Sequence, residues 1–333
     1  MSLTYKQSGV DIDADSESVR RIKDGVKTTH DSNVLAGLGS FGALYDLSLI
    51  KNYKQPILVQ SIDGVGTKVK IAFLMGKYSG LGEDIVNHSC NDIVCQGAKP
   101  LTFLDYIASF KTEPKIIEEI VSGMVKACKE AGVSLIGGET AEMSTVYAPN
   151  ERDIAGCITG IVEKDEIITG KDIKVGDIAL GLQSSGLHTN GFSLVRKIFS
   201  DEDLKGDLGE EALKPHKNYS KNILKVLEQH QIKGIAHITG GGLIENPPRI
   251  LPEGMALEIR KDSWEILPIF KKIQSLGDID ENEMYRVFNM GIGMILVVSP
   301  NEGQKIKTLL EFLGEKVFEI GKVVRGNKEV ILS

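Results

Sequence analysis

Cysteine, tryptophan and long apolar runs are all scarce in this 333-residue chain. Its four cysteines, Cys90, Cys95, Cys128 and Cys157, form no Cys-x-x-Cys pair and are too few to staple a protein of this length, so they read as reduced core thiols. His88 lies beside Cys90 and Cys95, but that segment offers a single histidine and no second cluster, which argues against a zinc site. No predominantly apolar run reaches the roughly 18 residues needed to cross a bilayer, and the opening Met-Ser-Leu-Thr-Tyr-Lys-Gln lacks the apolar core of a signal peptide. A cytoplasmic protein with no membrane partner is therefore expected. Basic residues are dispersed and the net charge is −7, which leaves no electrostatic footprint for nucleic acid. No Gly-x-x-x-x-Gly-Lys-Ser/Thr spacing occurs, so a Walker A loop is excluded.

Glycine is abundant by contrast, with 36 residues, many of them clustered, which points to close backbone approach at ligands. The stretch that organises the chain covers residues 57–68. It begins as an apolar strand and breaks at Asp63 into Asp63-Gly64-Val65-Gly66-Thr67-Lys68. A carboxylate, two glycines, a hydroxyl and a lysine in six residues form a phosphate-type constellation, although in isolation a glycine-rich hairpin end with solvated Asp63 and Lys68 is the more ordinary reading.

The length predicts two domains, at residues 1–168 and 169–333, with the boundary in a charged stretch that has little apolar periodicity. Val19, Ile22 and Val26 predict an N-terminal helix over residues 16–29. Gly37-Leu38-Gly39-Ser40-Phe41-Gly42 matches a dinucleotide-binding fingerprint, but the residues before it are mostly polar where that fold needs a buried strand. A helix from residue 83 or 84 to 95 turns Ile85, Val86, Cys90, Ile93 and Val94 inward and Asp84, His88, Asn91 and Asp92 to its other face, which is either solvated or a metal-ligand set. Residues 101–110 read as a strand, and Pro114 opens a long helix that stops at Gly132. A short strand then runs into Gly137-Gly138-Glu139-Thr140-Ala141-Glu142, and another follows Asp153. Two places where strands deliver carboxylates onto glycine turns suit a hard cation such as Mg²⁺ with substrate phosphates.

In the second half a strand leads into Ser184-Ser185-Gly186-Leu187-His188-Thr189-Asn190-Gly191 ahead of a helix, a polar helix entry suited to an anion. Thr239-Gly240-Gly241-Gly242 repeats the arrangement, with Glu245, Asn246 and Arg249 downstream and Pro247-Pro248 limiting the helix. Residues 294–298 and 317–324 read as strands, residues 302–313 as a helix, and Trp264 as a core or interface residue.

Taken together and in order, Asp63 to Lys68, the Asn91-Asp92 segment, Gly137 to Met143, Asp153 to Gly156, Ser184 to Gly191, Thr239 to Gly242 with Glu245-Asn246, and Glu283 to Gly293 resemble the aminoimidazole ribonucleotide synthetases, also called phosphoribosylformylglycinamidine cyclo-ligases. The wider group of ATP users includes thiamine-monophosphate kinase and selenophosphate synthetase. Residues 25–45 lack the cysteine expected of the latter and residues 37–46 the Gly-Asp-Asp expected of the former. One departure is Asn87-His88, where small or apolar residues are expected. The resemblance implies an α/β fold of two α+β domains. Its N-terminal domain contributes strands to a barrel-like sheet shared across a homodimer, and its C-terminal domain is sandwich-like. It implies ATP as co-substrate, Mg²⁺, and formylglycinamidine ribonucleotide as the small-molecule substrate. On that basis Asp63, Asn91, Asp92 and Glu139 are assigned to the metal. Gly37, Gly39, Gly42, Gly64, Gly66, Thr67, Lys68, Gly137, Gly138 and Asp153 are assigned to ATP and its phosphates. Ser185, His188, Thr189, Asn190, Gly240, Gly241 and Gly242 are assigned to the substrate, and His188, Asp63 and Lys68 to catalysis.

Overall fold

The computed structural model describes residue 7 and residues 9–333. Its N-terminal half contains helix α1 (Ile12–Lys27), strands β1 (Val34–Ala36), β2 (Leu44–Tyr45) and β3 (Pro56–Gly64), helices α2 (Lys68–Met75) and α3 (Ser79–Val94), strand β4 (Lys99–Ser109), helix α4 (Pro114–Ala131), and strands β5 (Ser134–Glu142) and β6 (Arg152–Glu163). Four strands form one sheet in the order β3-β6-β4-β5, with only β4 and β5 parallel. Along each strand alternate residues face opposite sides. One face carries Phe103, Ile107, Ile154 and Ile158, fully buried against Ile85 and Ile93 of α3 and Ile117 and Met124 of α4. The other face leaves Leu58, Ile62, Leu104 and Tyr106 exposed.

Helices α3 and α4 cross at unusually close range because glycine meets backbone on both sides. A Cβ at Gly82 would lie 1.9 Å from the Ile120 carbonyl oxygen, and one at Gly123 would lie 1.8 Å from that of Ser79. This crossing explains why α3 starts at Ser79, several residues before the expected 83. Gly80 and Gly82 are poor helix formers, and packing overrides their propensity. Helix α4 has the expected limits, with Pro114 in its first turn and Gly132 at φ +71° closing it.

The C-terminal half contains β7 (Ile178–Gln183), α5 (Phe192–Ile198), α6 (Asp201–Leu204), α7 (Asp207–Ala212), α8 (Ser220–Leu227), β8 (Gly234–His237), α9 (Gly242–Glu245), β9 (Met255–Ile259), α10 (Pro268–Gly277), α11 (Glu281–Val287), β10 (Ile292–Val298), α12 (Pro300–Phe312), β11 (Val317–Arg325) and β12 (Val330–Leu332). Six strands form a second sheet in the order β12-β9-β11-β7-β10-β8, antiparallel except for β12 with β9. Apolar cores lie on both of its faces. One is built around Phe192, Phe270 and Phe288, and the other around Tyr219, Ile223 and Leu296. Every residue of β10 is accordingly buried. Trp264 is a core residue whose indole N–H donates to the Met290 carbonyl at 2.9 Å.

The dinucleotide fold is ruled out by geometry. The glycines at 37, 39 and 42 sit between two very short strands, and no α-helix opens at them; the next element after β2 is a short 3₁₀ helix at Ser48–Asn52. The cysteines are free as expected, with Cys90 and Cys128 buried. Of the two readings left open for the polar face of α3, the solvated surface does not hold. Asp84, Asn87, His88 and Asn91 are all 5% exposed or less, because the C-terminal half packs against them.

Candidate active site

The strand alternation that turns Ile62 outward turns Asp63 inward, over α3. His88 and Asp92 lie one helical turn apart on α3 and so project side by side toward β3. From the other half, β8 ends at His237. These elements bring four side chains together. Asp63 Oδ2 lies 2.8 Å from His88 Nε2, Asp92 Oδ2 lies 3.5 Å from the same nitrogen, and Asp92 Oδ1 lies 2.8 Å from His237 Nδ1. The carboxylates remain accessible, with side-chain exposures of 45% for Asp63 and 27% for Asp92, whereas both imidazoles are nearly covered. The group opens into a cavity of about 440 Å³ that also reaches Gln60, Thr239 and Arg249.

Burial alone would raise the carboxyl of Asp63, but the hydrogen bond and charge of His88 outweigh it and hold the group below its ordinary range. Asp92 is lowered in the same way by His237, then His88. The reverse holds at His88, where burial favours the neutral ring and the two aspartates raise its pKa overall. His237 stays on the low side because burial exceeds what Asp92 returns. The second ring nitrogen of each histidine is also fixed. His88 Nδ1 lies 2.9 Å from Thr189 Oγ1, and His237 Nε2 lies 2.9 Å from His216 Nε2.

Three assigned residues lie in the covered seam between the halves, outside the cleft. Lys68 is fully buried, with Nζ 2.9 Å from both carboxylate oxygens of Asp84, and it donates to the carbonyls of His188 at 3.0 Å and Lys214 at 2.9 Å. Its ammonium has no proton left for a phosphate, which corrects the expectation for this residue. Asn91 donates to the Lys217 carbonyl and accepts from the Tyr219 amide, each at 2.8 Å, so it holds α8 and does not stand beside Asp92 as a ligand. His188 is fully buried at φ +61°, its ring stacked on His216 with 3.9 Å between centroids. Its Nε2 accepts from the Ser185 amide at 3.3 Å while Nδ1 has no partner among the described residues, and burial pushes its pKa well down. The imidazole does not line the cavity into which Asp63 and Asp92 open.

The remaining assignments divide between two places. Gly66, at φ +58°, brings its turn against the Thr189 carbonyl, and Thr67 Oγ1 lies 3.0 Å from Ser193 Oγ, so residues 64–67 face the helix entry at 189–191. Ser185 donates to the Pro215 carbonyl at 2.6 Å. Asn190, Gly240 and Gly241 line a second cavity of about 280 Å³ with Glu245 and Arg286. Gly242 stands behind them at φ +56°, where a Cβ would meet the Tyr285 carbonyl at 2.2 Å. Glu139, by contrast, lies on the row Gly64, Ala155, Tyr106, Glu139. That is three strand spacings, or about 14 Å, from β3. Gly137, Gly138 and the loop of Gly37, Gly39 and Gly42 share this β5 edge, where a Cβ on Gly37 would press on His30 and lie near the Ile136 carbonyl. Asp153 is at the start of β6, where it accepts from the Ile154 amide at 2.9 Å. One chain therefore does not bring Glu139 or the 37–42 loop to Asp63. A larger cavity of about 910 Å³ elsewhere along the junction is lined by both signs of charge, including Lys99, Glu163 and Lys233, and contains none of these residues.

Sequence reasoning missed His216 and His237. Neither belongs to a metal-ligand spacing, and only the packing of the two halves brings them to α3.

The family described as AIR synthase related protein matches the chain twice, by its N-terminal domain over residues 45–162 and by its C-terminal domain over residues 174–333. A phosphoribosylformylglycinamidine cyclo-ligase from Alkaliphilus oremlandii is 50% identical over the whole of both chains. Among solved structures, thiamine-monophosphate kinase from Stenotrophomonas maltophilia superposes with a TM-score of 0.70 at 14% identity, covering 94% of this chain and 96% of that one. The hydrogenase maturation protein HypE in complex with ATP gives 0.69 at 18% identity, covering 95% and 90%. At these identities the structures share the fold.

Proposed function

The chain belongs to the phosphoribosylformylglycinamidine cyclo-ligase family, and we infer from that membership that it performs the family's reaction. ATP phosphorylates the formyl oxygen of formylglycinamidine ribonucleotide. The amidine nitrogen bearing the ribose then attacks the formyl carbon, phosphate leaves with that oxygen, and ADP and aminoimidazole ribonucleotide result. The observation that carries this reading is full-length identity of 50% to a protein of that name, in a chain whose two halves meet over a cleft with paired carboxylates.

In this reading Asp63 and Asp92 would hold Mg²⁺ with the triphosphate, and their donor chemistry fits. Both are accessible carboxylates facing one cavity, and a hard cation takes one or two such groups together with water and phosphate oxygens. When bound, the ion neutralises charge on the transferring phosphoryl. The chain's own residues position the reactants. Backbone amides at Gly64 and Gly66 approach phosphate, while Thr189, Asn190 and Gly240 to Gly242 orient the substrate beside it. Lys68 and His188 act by positioning, through the loop at 184–191 that they hold. A second copy would cover the apolar row Leu58, Ile62, Leu104 and Tyr106, giving a homodimer. The same reading makes the protein cytoplasmic. Among the described residues, no helix is long and apolar enough to cross a membrane.

The test is incubation with ATP, Mg²⁺ and formylglycinamidine ribonucleotide. Substrate-dependent ADP with equimolar aminoimidazole ribonucleotide is expected, and ADP release that ignores the substrate would overturn the assignment.

A further inference from the structure

Lys68 is spent in the seam, so the cleft lacks the lysine expected to meet phosphate. Phosphoryl transfer still calls for cationic groups that hold the phosphate oxygens. Among the described residues, Arg249 is the one lysine or arginine that lines the cavity of Asp63 and Asp92.

Local structure fixes where Arg249 stands. Asn246 is 2% exposed and clasps the glycine loop before it, its Nδ2 donating to the carbonyls of Thr239, Gly240 and Gly242 at 3.3, 3.2 and 2.9 Å. Pro247 and Pro248 then restrict φ through a 3₁₀ turn at Pro247–Ile250, and the Arg249 amide donates to the Asn246 carbonyl at 3.1 Å. The backbone under Arg249 is held while the residue itself stays exposed at the cavity.

Its guanidinium is uncommitted. Five N–H groups are available, yet among the described residues the single contact in hydrogen-bond range is Nη1 to Asn246 Oδ1 at 3.4 Å. Arg286, in the neighbouring cavity, spends its side chain on Glu245 at 2.7 Å. Arg249 pairs with neither Asp63 nor Asp92; His88 and His237 meet those carboxylates instead. Its charge is felt at Cys95, three residues past Asp92, where burial raises the thiol and Arg249 opposes the shift. A planar guanidinium with free donors matches phosphate oxygens two at a time. Arg249 belongs to the C-terminal half and both carboxylates to the N-terminal half, so a phosphate bound here draws on the two halves at once.

We propose that Arg249 is a phosphate-binding residue of this cleft, donating two N–H groups to a phosphate carried by one of the two reactants, either the terminal phosphate of the nucleotide or the 5′-phosphate of the ribonucleotide. The proposal rests on the cyclo-ligase reading and adds the side chain that takes the place expected of Lys68.

Isothermal titration of the full-length protein tests it with ligands that differ by one phosphate. One pair is β,γ-imido-ATP against ADP, both with Mg²⁺, and the other is formylglycinamidine ribonucleotide against its ribonucleoside. Arg249→Met should weaken the phosphate-bearing member of one pair by about tenfold or more and leave the member lacking that phosphate within about threefold. The pair that responds identifies which phosphate is held. Arg249→Lys, which keeps the charge without the fork, should recover part of the loss, and the melting temperature of either variant should move by less than about 2 °C. Affinities for all four ligands within about threefold of the unaltered protein, or equal losses within both pairs, would overturn the proposal. If the unaltered protein binds nucleotide but makes no substrate-dependent ADP, the cyclo-ligase reading fails, and the nucleotide pair still decides on Arg249.

Discussion

Asp84 and Asp92 lie on the same helix, about two turns apart, and the molecule treats them oppositely. Asp84 is fully buried, faces the Lys68 ammonium and accepts the His216 amide at 2.7 Å. Asp92 keeps 27% of its side chain open to a cavity and is met by imidazoles. The first is neutralised by Lys68 of its own half and tied to the other half through the His216 amide, so its partners serve the seam. The partners of the second can be exchanged for a ligand. How far a carboxylate stays open is therefore set by how closely the other half packs over it, and periodicity along the helix carries no trace of that.

Lys68→Met should have the largest effect. It leaves Asp84 buried without its counter-charge, and breaking such a pair costs about 3–5 kcal/mol. Urea unfolding checks it. A variant of normal stability that has lost only ATP affinity would break the comparison, because the seam would then be functional. Asp92→Asn and Asp63→Asn should reverse the pattern, with turnover down about 10²-fold or more and stability changed by less than about 1 kcal/mol. Steady-state rates together with melting curves distinguish this from a structural role.

Asn91→Ala sharpens the contrast, since Asn91 immediately precedes Asp92. It strips partners from the Tyr219 amide and the Lys217 carbonyl, so a loss of about 1–3 kcal/mol is expected with cation affinity unaltered in titration.

Asp105 is a third kind of carboxylate, on β4 between Gly156 and Gly138 of the neighbouring strands. Burial, reinforced by the charge of Glu139, pushes it from 3.8 up to about 7. Across that window the native protein keeps a proton that the unfolded chain has released. Stability therefore falls as pH rises through it and levels off above. Asp105→Asn should flatten this decline in urea midpoints measured from pH 4 to 8, an effect read only in the pH dependence.

Much of the fold was legible because it is written in local signals. Pro114 and Gly132 bracket α4, and the break at Asp63 follows an apolar strand. In the candidate site, Asp63 and Asp92 were legible as carboxylates beside glycine or on a polar helical face. Asn91 and Lys68 looked equivalent to them, because residue type and spacing do not record which groups another half will cover. His216 and His237 were illegible for the same reason, being 128 and 149 residues from His88 with nothing local to connect them (216 − 88; 237 − 88). The glycine-rich loop at 37–42 carried a familiar pattern without the buried strand before it and the α-helix after it that give the pattern its meaning.

The contact between Gly82 and Gly123 has an evolutionary consequence. At either position a methyl group would lie within 2 Å of a carbonyl oxygen on the other helix, where ordinary contact begins near 3.4 Å. The helices would have to separate by more than an ångström, carrying His88 and Asp92 away from β3 with them. Neither position can be explored alone by small steps, so the two are expected to stay fixed together across descendants of this sequence, however freely the surrounding surface drifts. Two residues that touch no ligand thereby constrain inheritance as tightly as those that do.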